Sequence, residues 1–73
     1  MKKEFKVVVV DLFKGFSIVD EIVTSSLKNF KGLKLTKDDY ADYDDEADTI
    51  EFDYDFVIED QNDDCMLYFV KKV

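Results

Sequence analysis

Apolar positions along the chain change period several times, and each change predicts an element. In residues 4–13, Phe5, Val7 and Val9 fall on one side of an extended chain and Val8, Val10 and Leu12 on the other. Both sides are apolar, which predicts a central strand with neighbours or cover on each face. Ile18, Val19, Ile22, Val23, Leu27 and Phe30 then recur at helical steps, with Asp20, Glu21, Thr24, Lys28 and Lys31 opposite them. That stripe predicts an amphipathic helix. Ser17 followed by Asp20 has capping-box spacing, with Asp in place of Glu. Acids in the first turn, lysines in the last and Gly32 at the position of a left-handed cap complete the pattern.

Leu33 and Leu35 alternate with Lys34 and Thr36, so a second strand is expected to start there and run towards Tyr43. Thr36 with Asp39 could equally cap a short helix carrying Tyr40 and Tyr43 on one side. The strand is preferred because residues 44–48 are a polar stretch leading into a further strand, as in a hairpin connection. Within 49–59, Ile50, Phe52, Tyr54, Phe56 and Ile58 face one way and Glu51, Asp53, Asp55, Val57 and Glu59 the other. Residues 60–64 form the next turn and 65–73 the last strand. The expected fold is a single α+β domain over residues 1–73, in the order β-α-β-β-β, with one helix packed on a mostly antiparallel sheet.

Composition supports a folded chain and narrows its chemistry. Of 73 residues, 47% are hydrophobic, with seven Phe and four Tyr, a richer apolar supply than a disordered acidic tail has. There is no His and no Arg, and Cys65 is the single cysteine. Ser-His and Cys-His nucleophile pairs and thiolate zinc sites are therefore out of reach. The two glycines stand seventeen residues apart, so no Gly-rich phosphate loop exists. An enzyme is not expected, nor is a cofactor. One cysteine and an apolar run of only Val7 to Val10 suit a protein of the cytoplasm rather than one carrying a signal peptide or a membrane span.

Charge changes the picture most. Residues 38–64 hold fourteen of the eighteen carboxylates and no lysine, whereas residues 1–37 carry a net +4. An anionic lipid surface or a nucleic-acid backbone would repel such a block, so direct binding to either is not expected. Concentrated charge of one sign instead attracts a basic protein partner. The candidate contact residues are Asp38, Asp39, Tyr40, Asp42, Tyr43, Asp44, Asp45, Glu46, Asp48, Glu51, Asp53, Asp55 and Glu59. On a strand, Glu51, Asp53 and Asp55 would stand about 6.6 to 6.8 Å apart, comparable with the phosphate spacing of a DNA strand. No lysine lies within ten residues of 49–59 to neutralise them. Core or sheet packing is the alternative use of Tyr40 and Tyr43. Asp42-x-Asp44-x-Glu46 opens like a calcium loop, but Ala47 replaces the glycine of the turn and Asp53 stands where a bidentate Glu is usual.

In size, charge and distribution of acids the chain resembles the DNA-mimic proteins with which phages and mobile elements inhibit restriction, repair or CRISPR nucleases. The resemblance implies an inhibitor that blocks the basic groove of a nucleic-acid-binding protein or nuclease; a monomer or homodimer is expected. Two other readings are an acidic adaptor or antitoxin-like module for a basic partner, and a regulatory domain whose acidic hairpin binds a divalent cation.

Overall fold

The structure, a computed structural model, describes residues 4–15, 17–43, 50, 52–63 and 65–73, with the backbone alone at 42 and 43. Strands β1 (Phe5–Asp11), β2 (Ser17–Thr24), β3 (Gly32–Thr36), β4 (Phe56–Asp60) and β5 (Met66–Lys72) form one sheet, and helix α1 (Lys37–Tyr43) follows β3. The spatial order is β2-β1-β5-β4-β3, and every neighbouring pair is antiparallel. The coarse expectation of an α+β chain with an antiparallel sheet holds. Among the described residues the element order is instead β-β-β-α-β-β, and the only helix there is seven residues long.

Strand β1 is central, as its two apolar sides require. Val8 and Val10 pack on one face with Val57, Leu67 and Phe69, and Val7 and Val9 on the other with Phe56, Ile58 and Val70. All four valines are buried. Such side chains contribute about 1.5 to 3 kcal/mol each by leaving water, so the β1–β5 pair anchors the core.

The expected helix over residues 17–31 is not formed. Five of the eight residues of β2 are β-branched, which disfavours helix and suits a pleated strand. Its apolar spacing (18, 19, 22, 23) serves a helix by grouping four side chains, but a strand sends one of each pair to either side. As a strand it supplies the antiparallel partner that β1 needs, with a register shift between Val9 and Val10. The cost is visible in Ile18, Val19 and Val23, which stay exposed. The supposed capping residues act locally: Ser17 donates to the Lys14 carbonyl and Asp20 accepts from the amide of Glu21. Gly15, at φ 72°, closes the β1–β2 turn.

Since β2 and β3 are opposite edges, residues 25–31 must cross the sheet. Leu27 and Phe30 pack on the Val7, Phe56 and Val70 face as they pass, and Phe30 meets Tyr68 edge-on with ring centroids 4.9 Å apart. Gly32 does not cap a helix. It begins β3 opposite Asp60, and a Cβ there would lie 1.7 Å from the Glu59 carbonyl oxygen.

The second strand ends at Thr36, and the short helix weighed as its alternative is what forms. The Thr36 hydroxyl accepts from the Asp39 amide at 3.1 Å, an N-cap. The apolar run at 50–58 is also not one strand. Residues 52–55 are irregular, β4 starts at Phe56, and the chain changes face between them. Ile50, Phe52 and Tyr54 join the Val8–Val57–Phe69 cluster, whereas Phe56 and Ile58 lie on the opposite face.

Candidate functional site: an acidic surface beside the helix

Helix α1 and residues 52–54 together cover one face of the sheet. Tyr40 inserts between them and the sheet, 1% exposed, edge-on to Phe69 at 5.4 Å and to Tyr54 at 6.5 Å. Phe52 and Tyr54 meet the same Phe69 ring at 5.2 and 5.0 Å. Edge-to-face rings at these distances add to the area they bury. Tyr40, expected as a surface anchor, is therefore a core residue. The seven-residue helix seals its part of this face through one inward aromatic, so the Tyr40 ring points at Phe69.

Asp38, Asp39, Asp53 and Asp55 are exposed on this side. Asp38 and Asp39 occupy the first turn of α1, exposed and favourably placed for the helix dipole. Asp53 is exposed, 3.7 Å from the ammonium of Lys37 at the start of α1 and 3.2 Å from that of Lys71. Asp55 reaches the Lys71 ammonium at 3.5 Å and accepts from the Lys72 amide at 2.7 Å. The Lys71 hydrogen bond and charge hold the Asp53 carboxyl below the usual carboxylate range. For Asp55 the Lys72 amide is the larger cause, with Lys71 adding to it. Lys71 is pushed up in turn, chiefly by its hydrogen bond to Asp53.

Two expectations about these acids are corrected. Asp53 and Asp55 do not stand in a row on a strand, because they precede β4 in the segment that changes face. Nor are they without cations. The β4–β5 pairing sets Phe56 opposite Val70 and so brings Lys71 to Asp53 and Asp55, while the start of α1 brings Lys37. Both lysines are distant in sequence, and no local signal could have found them.

Glu59 is half-buried and set apart, opposite Leu33 on β3 and Leu67 on β5. It lies roughly 13 Å along the chain from Asp55 at about 3.3 Å per residue. Asp42 and Tyr43 are placed in α1 by their backbone only. Asp44, Asp45, Glu46, Asp48 and Glu51 lie outside the described residues, and with them most of the calcium-like loop.

Asp60, not among the candidates, is the most engaged acid described. It accepts from the Tyr68 hydroxyl and from the amides of Asn62 and Asp63. Among the described residues no group of three or more Cys, Asp or Glu is arranged to hold a metal ion, and no helix is long and apolar enough to cross a membrane. Compared with protein-family models, curated proteins and solved structures, the chain matches none of them.

Proposed function

We propose that this chain is a small acidic inhibitor that occupies the basic nucleic-acid-binding groove of another protein, in the manner of the DNA-mimic proteins it resembles. The observation that carries the reading is the concentration of fourteen carboxylates, without a lysine, in residues 38–64. Packing of α1 against residues 52–54 supports it by setting Asp38, Asp39 and Asp53 on one exposed region. Carboxylates there would pair with the target's Lys and Arg, and the mechanism is competition, with no catalytic step.

A second reading, an acidic adaptor or antitoxin-like module, is favoured by one observation. Lys37 and Lys71 are interleaved with Asp53 and Asp55, so part of the surface is mixed in sign, unlike a run of phosphates. Affinity capture on the immobilised chain, followed by elution with duplex DNA, separates the two. Release by DNA at moderate salt supports the inhibitor, and retention supports the adaptor. Asp38→Lys and Asp39→Lys should each weaken the captured complex more than Asp63→Lys, which changes net charge equally. Equal losses for all three would reduce the contact to a diffuse acidic field.

A further inference from the structure

The sheet face away from α1 carries a different feature. Phe5 on β1, Lys72 on β5, Phe56 on β4 and Lys34 on β3 project on this face near one end of the sheet, as their registers dictate. With Glu4, Leu27 and Val73 they line a half-open cavity of about 500 Å³, within the roughly 300 to 1,000 Å³ range of small-molecule sites. The walls are apolar: two phenylalanine rings, Leu27 from the crossing segment and Val73. The Lys34 ammonium stands 4.3 Å from the centroid of the Phe56 ring, which holds it beside the cavity.

Charge singles this cavity out. The chain has eighteen acids for ten lysines, and Lys6, Lys37 and Lys71 are each paired with a carboxylate. Lys14, Lys28, Lys31, Lys34 and Lys72 form no ion pair among the described residues, although the charge of Lys72 acts on Asp55, and of these five Lys34 and Lys72 both line this one apolar space. An apolar pocket lined by Lys34 and Lys72 is complementary to a molecule with an apolar body and an acidic head. Glu4 lines the same cavity and offsets part of the lysines' charge, which favours a monoanion over a dianion.

We propose that this cavity binds a small monocarboxylic acid. Its aliphatic or aromatic body would pack against Phe5, Leu27, Phe56 and Val73, and its carboxylate would accept charge-assisted hydrogen bonds from Lys34 and Lys72. The site is separate from the acidic surface, which lies on the opposite face of the sheet, and does not depend on what that surface binds.

The test is NMR titration of the full chain with three probes sharing one tail: octanoate, octan-1-ol and octylammonium. A chain of net charge −8 attracts the ammonium and repels the carboxylate unless local lysines reverse the order. The proposal expects octanoate to bind tightest, by about tenfold over the alcohol, with shifts centred on Leu27, Val73 and the rings of Phe5 and Phe56. Lys34→Met keeps the stem and removes the charge, so it should weaken octanoate several-fold and leave the alcohol unchanged, with Lys72→Met as an independent second variant. Octylammonium binding as tightly as octanoate overturns the proposal. So do octanoate shifts absent from these four residues, or octanoate binding that neither variant alters.

Discussion

Tyr68 of β5 donates its phenolic hydrogen bond to Asp60 at the end of β4, and Asp60 turns the same carboxylate to the amides of the loop that joins the two strands. One side chain thus closes the β4–β5 hairpin and fixes a half-buried tyrosine. Burial first, and the Asp60 contact second, push the Tyr68 hydroxyl up from 10.0 to about 12. Asp60 is held below the usual carboxylate range, chiefly by the Tyr68 hydrogen bond.

The sign of this coupling gives an alkaline prediction. A group whose pKa is higher folded than unfolded stabilises the fold fully below its unfolded value and loses that contribution as pH rises through the folded one. The contribution of Tyr68 should therefore fall away between pH 10 and about 12. Lys71, also raised, acts in the same direction, so the comparison must be with Tyr68→Phe. The variant should be less stable than the parent at pH 8, and the gap should close by pH 12 in denaturant titrations. Absorbance titration of the tyrosines should lose one late-ionising group in the variant.

At the acid end the sign reverses. Asp53, Asp55 and Asp60 have depressed carboxyls, so their contribution is present above the unfolded value of 3.8 and is lost as pH falls through the lower folded values. Lys71→Met removes a cation shared by Asp53 and Asp55. It should lower the melting temperature at pH 7 and 0.05 M salt, less so at 0.5 M salt, and progressively less as pH falls below 3.8. A difference from the parent that does not shrink on acidification would assign the role of Lys71 to its aliphatic stem.

Gly32 tests the close approach of β3 to β4. A methyl group would fall 1.7 Å from the Glu59 carbonyl oxygen, which is backbone and cannot rotate away. Gly32→Ala should destabilise by about 1 to 3 kcal/mol, the usual scale of overpacking, although alanine is otherwise the better strand residue. Gly15→Ala, where a Cβ meets nothing within 4 Å but φ is +72°, should cost less and through backbone strain alone. Urea melts of both variants check the order.

Phe69 is the common neighbour of Tyr40, Phe52 and Tyr54 and is 1% exposed. Phe69→Ala should cost about 3 to 5 kcal/mol, as for large aromatic truncations, and should loosen α1 before the strands because α1 rests on this ring through Tyr40. Hydrogen exchange would then accelerate first at residues 37–41. Tyr40→Ala should reproduce much of that loss, whereas a surface anchor at this position would leave stability unchanged.

The strand over Phe5–Asp11 was legible because four consecutive valines satisfy only a segment covered on both faces, and Met66–Lys72 because its alternation is bounded by clear turn residues. The acid concentration and the absence of His, which shape any functional reading, are properties of the chain whatever its fold. At Ser17–Thr24 the spacing of Ile18, Val19, Ile22 and Val23 satisfies a helix and a strand alike. The free edge of β1 decided, since a strand there gains a full ladder of backbone hydrogen bonds and a lone helix would leave β1 at an edge. The alternation at 50–58 likewise describes an extended chain but not which side of a sheet it lies on. The covering of Phe69 by Phe52 and Tyr54 drew the first half of the run to one face and left Phe56 and Ile58 on the other. Lys71 meets Asp53 for a related reason: strand pairing joins residues that sequence separates, and local pattern holds no record of which strands will pair.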